Sequence, residues 1–197
     1  MRILLFIGVL AAPLALAEPT PREVQDIHLR DFHAKGVVKK EAVVQDAVQR
    51  ICTISNDRPG AALAKQLEAD QMKTIAFPSA GGLMGDWKRG EAIAQSGRGM
   101  TFTDAPGSAN GGSCYNCHQL AAKEISYGTL GPSLQGFGKK RGGGEETQKY
   151  VYGKIYNAKA YNACSQMPRL GWSGTLTEQQ IKDLVAYLLD PASPVNH

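Results

Sequence analysis

The sequence is short of several things, and each shortage removes a class of protein. After residue 17 no apolar run approaches the roughly 20 residues that a membrane-spanning helix requires, so no later segment reads as a span. Neither charge dominates: 22 basic against 18 acidic residues leave a net +4, which gives no case for nucleic acid and suits an acidic or a neutral protein partner equally. No stretch alternates apolar and polar residues as a half-buried strand does. Ser, His and Asp show no triad order, and no paired carboxylates flank the cysteine motif, so no activated nucleophile is in view. Cysteine and histidine are scarce, four of each, which makes their placement informative.

What is present begins with an export signal. Residues 1 to 23, "MRILLFIGVLAAPLALAEPTPRE", carry one Arg, an apolar run from Ile3 to Ala17, and Ala15-Leu16-Ala17 before Glu18. The run is interrupted by Pro13 and is too short to span a bilayer, so it reads as a signal peptide (1–17) cleaved after Ala17, with the mature chain in the periplasm or outside the cell. In an oxidising compartment, idle thiols pair. The 43% hydrophobic content is enough for a packed core.

The apolar spacing predicts a mainly α protein. Residues 18–36 are polar, contain Pro19 and Pro21, and read as a flexible lead-in. Val37, Val44, Ala47, Val48 and Ile51 fall at helical spacing, with Cys52 on the same face. "SNDRPG" supplies a turn with Asn56 or Asp57 as N-cap, and a helix is expected from Ala61 to about Met72. The Pro/Gly-rich "FPSAGGLMG" (77–85) is the expected boundary between an N-terminal helical extension (18–80) and a second domain (81–197). Beyond it, "GDWKRGEAIAQSG" reads as a short helix capped by Asp86 and stopped by Gly97. Residues 128–144 read as a covering loop, and "EETQKYVYGKIYNA" as a helix. The last helix is announced by a capping box, Thr177 with Gln180, followed by a stripe of Ile181, Leu184, Val185 and Leu188, and is ended by Pro191.

The motif is "GGSCYNCHQL": Cys114 and Cys117 three apart, then His118. This spacing suits covalent haem attachment, because it presents two thiols to the two vinyl groups on one porphyrin edge and an imidazole to the iron. Zinc and a thioredoxin-type dithiol are the rivals. A zinc site wants a second clustered ligand pair, which is missing. A dithiol of that type wants a strand leading into the motif, whereas the run-in is "DAPGSANGGS". Downstream, the single methionine is Met167, in "CSQMPRLGW", a candidate sixth iron ligand whose thioether would favour the reduced state. Met72, Met84 and Met100 are expected to fill core space.

These residues together resemble the class I cytochromes c over residues 85–190. "GDWKRGEAIA" is similar to that family's N-terminal helix, with Gly90 where a small residue admits the C-terminal helix. "DLVAYL" (183–188) resembles that C-terminal helix, with Leu184 and Tyr187 on the crossing face. "GTLGPSLQG" resembles the segment after the haem turn, where Pro132 offers its carbonyl to the ring of His118. The resemblance implies a class I cytochrome c fold with an N-terminal helical extension. It also implies one covalent haem c held by Cys114 and Cys117, with His118 and Met167 as proximal and distal iron ligands. Two departures stand out: the 18 residues from Gln95 to Gly112 form a longer interval than the family's, and Ala94 stands where an aromatic often packs.

Longer strings, "GSCYNCHQL", "EISYGTLGPSL" and residues 150–196, resemble the SoxX family, the monohaem subunits of SoxAX complexes in bacterial thiosulfate oxidation. Membership would imply a heterodimer with a SoxA-type haem subunit carrying the catalytic cysteine. A SoxYZ-type carrier would accept thiosulfate on its own cysteine, and a downstream acceptor would take the electrons. This chain would then be the electron-transfer subunit of an L-cysteine S-thiosulfotransferase, with no catalytic residue of its own. The alternatives are a free-standing soluble cytochrome c and a periplasmic thiol-disulfide oxidoreductase. Cys52 and Cys164 are most simply read as a disulfide, with a bond to the partner subunit or a reactive free thiol as the alternatives. Lys139–Arg141 is either a docking patch or a solvated loop.

Overall fold

The structure is a computed structural model and describes residues 18–197. The apolar run and its expected cleavage site lie outside the described residues. Among the described residues the architecture is helical, with no strand and a single isolated bridge between Lys35 and Val38. No described helix is long and apolar enough to cross a membrane.

The lead-in is more ordered than its prolines imply. Helix α1, Pro21–Asp31, starts from a capping box in which Thr20 and Glu23 exchange hydrogen bonds, and Pro21 takes the first-turn position where a missing N–H costs nothing. It buries no residue, and Gln25 ties it to the chain at Val43 and Gln45. The helix expected through Val37–Ile51 is not continuous. A turn at Gly36 (φ +59) and a 3-10 segment, Lys40–Val43, precede α2, Ala47–Ile54, which Asp46 and Gln49 start afresh with a second capping box. Only Val48 and Cys52 of this helix reach the interior; Val44, from the upstream end of the stripe, stays exposed.

Helix α3, Ala61–Met72, has the expected span, but Gly60 is its N-cap and neither Asn56 nor Asp57 caps it. Both of those residues turn the chain at positive φ, +48 and +58, a conformation that Asn and Asp tolerate better than most side chains. Met72 and Met100 are exposed and do not fill core, whereas Met84 packs against it.

Helix α4, Trp87–Ala94, is capped by the Asp86 carboxylate, which accepts from the amides of Lys88 and Arg89, and it ends at Gln95, before Gly97. The expected loop over 128–144 contains a short helix, α5, Phe137–Arg141, whose last turn is Lys139, Lys140 and Arg141. Helix α6, Glu145–Tyr156, and helix α7, Glu178–Leu189, complete the set; Thr177 and Gln180 form the capping box of α7, and Asp190 is its C-cap.

The main core forms where α4 crosses α7. A Cβ on Gly90 would lie 2.1 Å from the carbonyl oxygen of Asp183 and 2.7 Å from the Cβ of Tyr187, so only glycine permits this approach. Arg89 donates to both carboxylate oxygens of Asp183, and Gly85 donates its amide to Lys182, fixing the register of the crossing. Ile181, Leu184, Val185 and Tyr187 of α7 meet Val151, Tyr152 and Ile155 of α6 in the interior. A second, smaller cluster of Val48, Cys52, Leu67, Ala163 and Cys164 joins α2 and α3 to the segment that carries Met167.

Candidate haem-binding site

The Gly-rich run-in to the motif is a hydrogen-bonded strap. The amides of Gly111, Gly112 and Ser113 donate to the carbonyls of Arg98, Ile93 and Ser96, at 2.8, 2.8 and 2.9 Å. A Cβ on Gly111 would fall 2.0 Å from the Ser96 oxygen, so the glycine is required by the closeness of the return. The tip of the long 95–112 interval lies against the extension: Lys35 stacks over Phe102, and Gly36 abuts the Phe102 backbone. Its far end is held by Asn110, which donates to Thr175 and accepts from Gln180.

Ser113, at φ +52, then turns the chain into one tight 3-10 turn, Cys114–Asn116, closed by the amides of Cys117 and His118 donating to the Cys114 carbonyl. The two cysteines and the histidine therefore sit within about one turn of each other. Residues 128–134 fold back onto this turn through Gly128 to Tyr115, Gly131 to Cys117 and Leu134 to Gln119, each 2.8 Å.

That return places the Pro132 carbonyl 2.7 Å from Nδ1 of His118. A carbonyl only accepts, so Nδ1 carries the proton and Nε2 is left with its lone pair. Gly131 makes the geometry possible, since a Cβ there would lie 2.1 Å from Cε1 of the same ring. The sequence offered "LGPS" and the role of Pro132, but not the demand on Gly131.

Cys114 and Cys117 are free thiols. Burial pushes the Cys114 thiol up to about 12, the opposite of what a redox dithiol or a zinc thiolate needs. A thioether carries no charge and loses nothing by that burial, so the site's chemistry fits a cysteine alkylated by a porphyrin vinyl group. Cys114, Tyr115, Ile93, Leu134, Phe137 and Met167 all pack, partly buried, on the main core. The Cys114 thiol and the Met167 thioether thus both contact the main core. Cys52 and Cys164 are joined in a disulfide with a Cα–Cα distance of 5.5 Å.

A crossed pair of helices, a Cys-x-x-Cys-His turn and a carbonyl-anchored imidazole define an electron-transfer haem protein of the helical type. The chain belongs to the cytochrome c family, whose profile, described as Cytochrome c, matches residues 88–190. Members bear covalently attached haem c and transfer electrons. An uncharacterized lipoprotein of Aquifex aeolicus (strain VF5) is 35% identical over 160 residues, spanning 80% of this chain and 76% of that one. Among solved structures, SoxXA from P. pantotrophus aligns with 25% identity and a TM-score of 0.42, over 60% of this chain and 90% of that chain.

Proposed function

We propose that this chain is an exported monohaem cytochrome that takes up electrons when thiosulfate is oxidatively joined to the cysteine of a SoxYZ-type carrier protein, working as the partner of a SoxA-type haem subunit. Electron transfer rests on one observation: His118 is held by Pro132 with Nε2 free to bind a metal, beside two thiols at vinyl-compatible spacing. The placement in sulfur oxidation rests on the likeness of residues 112–120, 124–134 and 150–196 to the SoxX family.

Haem c, when bound, supplies one-electron chemistry at its iron. The chain's residues would do the rest. Cys114 and Cys117 would hold the group by thioether bonds. His118 Nε2 would donate to the iron, with its basicity raised by the Nδ1–H bond to Pro132. Met167 would offer its sulfur to the same iron and favour the reduced state. The apolar core against which Cys114 and Met167 pack would limit water near them.

Two other readings predict different outcomes. A thiol-disulfide oxidoreductase would be colourless with two titratable thiols, and the raised Cys114 thiol argues against it. A free-standing electron carrier would share every haem residue and differ only in its partner. The deciding experiment isolates the protein from its native host and adds thiosulfate with the carrier protein. Co-purification with a second haem polypeptide and thiosulfate-dependent haem reduction are expected. A haem indifferent to thiosulfate, in a chain that purifies alone, would mean a free-standing carrier.

A further inference from the structure

Haem attachment makes no demand on residues 46–74, yet that segment grips the chain on both sides of Met167. Three residues before the sulfur, Cys164 is bridged to Cys52 of α2. One residue before it, Gln166 donates to the Asp57 carboxylate at 3.1 Å. Two residues after it, Arg169 donates to the Asp46 carboxylate at 2.5 Å and reaches Gln71 of α3 at 3.4 Å.

The guanidinium of Arg169 is also fixed from above, 3.7 Å from the ring centroid of Trp172. Its side chain is only 8% exposed, so its charge has little water to fall back on, and Asp46 is its one ion-pair partner among the described residues. From beneath, buried Lys159 donates to the carbonyls of Ala163 and Ser165, and the Ala163 amide donates to Glu68 of α3.

The segment needs this help because it has no regular structure of its own. Between Ala160 and Thr177 no residue is in a helix or a strand. From Cys164 to Leu170, every hydrogen bond to a residue distant in sequence runs to positions 46–71; the ties to α6 begin only with Gly171 and Trp172, which donate to Tyr156. Met167 thus sits in a span whose two flanks are fastened to the extension.

We infer that residues 46–74 form a brace that positions Met167, with Asp46 and Arg169 as positioning residues and the Cys52–Cys164 bridge as the second fastening. This rests on the reading of Met167 as the distal iron ligand. A ligand on a span fastened at both ends explores little space after leaving the metal and returns before a competitor arrives. A slack span would leave the sulfur bound on average but would let small ligands in more often.

The test measures how fast carbon monoxide binds the ferrous haem protein, a process gated by departure of the sulfur. Asp46→Asn keeps the side-chain oxygen that caps α2 and removes the charge facing Arg169. It is expected to bind carbon monoxide about tenfold faster than the parent, the order expected for loss of one charged, partly buried hydrogen bond. The double variant Cys52→Ser, Cys164→Ser is expected to accelerate likewise, and Arg169→Lys to fall between parent and Asp46→Asn. Thr177→Ala, which uncaps α7 and breaks none of the bonds between this span and residues 46–74, is expected to melt earlier with its binding rate unchanged. An Asp46→Asn rate equal to the parent's, or an acceleration matched by Thr177→Ala, would overturn the brace. Met167→Ala checks the underlying reading separately: if it binds carbon monoxide no faster than the parent, the sulfur is not the ligand and the brace falls with that assignment. Should the double cysteine variant fail to take up haem, the Asp46→Asn comparison still decides.

Discussion

Gly131 stands so close to His118 that a Cβ would fall 2.1 Å from Cε1 and 2.5 Å from Nδ1 of the ring. The carbonyl of the next residue, Pro132, is the acceptor for that same Nδ1. One dipeptide therefore both limits how far the imidazole can swing and fixes which nitrogen is protonated. Gly131→Ala must push the ring or the loop aside, a strain of about 1–3 kcal/mol of the kind seen when packed sites are overfilled. The expected result is a lower melting temperature and a smaller ratio of haem to protein absorbance. A variant with parental values would mean that the loop yields freely and does not orient the ring.

Gly90 makes a second test of a close approach, because two effects there have opposite signs. Alanine in place of glycine within a helix gains about 1 kcal/mol in propensity. At Gly90 the new methyl would meet the Asp183 carbonyl at 2.1 Å, a backbone atom that cannot turn away. Separating α4 from α7 disturbs the main core, so the overpacking term of about 1–3 kcal/mol is expected to win. Chemical denaturation of Gly90→Ala should show a net loss of stability; a gain would mean the helices part without cost.

Acid sensitivity follows from Asp183. Burial pushes its carboxyl up, but the Arg89 guanidinium, the Asp86 amide and Gln179 together hold it below the ordinary value of 3.8. A carboxyl whose folded-state pKa is depressed adds stability that is present in full above the unfolded value and is lost as the pH falls through the folded one. The chain should therefore weaken as the pH drops below about 4. Arg89 is 59% exposed and can turn to water when its partner is removed, so Asp183→Asn should cost about 1.5–3 kcal/mol at neutral pH, the range for hydrogen bonds to a charged group. It should also flatten, without abolishing, the acid limb, because Asp46 is depressed too, with the Gln49 amide and Arg169 outweighing its burial. Stability of both proteins measured from pH 2 to 7 checks this; parallel curves would show that Asp183 is not responsible.

Legibility in the sequence followed the range of the forces involved. Thr177 with Gln180 could be read because a capping box is complete within four residues, and the α4 start could be read from Asp86 for the same reason. Thr20 with Glu23 is the same device and was masked by Pro19 and Pro21, although proline at the first helical position is permissive. The stripe from Val37 to Ile51 misled because periodicity says nothing of whether a face finds a core, and Val44 does not. In the site, Cys114, Cys117 and His118 lie within five residues, and Pro132 is near in sequence. What escaped was long-range: Asp46 and Arg169 lie 123 residues apart, and neither has a neighbour that announces the other. The burial of Lys159 was equally invisible, since its partners are carbonyls of an irregular span.

Met167 offers the sharpest test of the proposed ligand set. Its sulfur-bearing side chain packs, partly buried, on the same core as Cys114, and Pro168 follows it directly, which restricts the backbone of Met167 itself to extended conformations. A thioether prefers the softer, reduced iron, so replacing it with water or a harder donor should lower the reduction potential. Met167→Ala is therefore expected to lose the long-wavelength absorption band of methionine-bound ferric haem and to shift its potential downward. Covalent attachment, which the proposed site assigns to Cys114 and Cys117, should be retained. A spectrum identical to the parent's would place another residue at the sixth position. Loss of covalent haem with an otherwise folded chain would instead mean that Met167 acts during assembly of the site, a role the thioether argument does not provide.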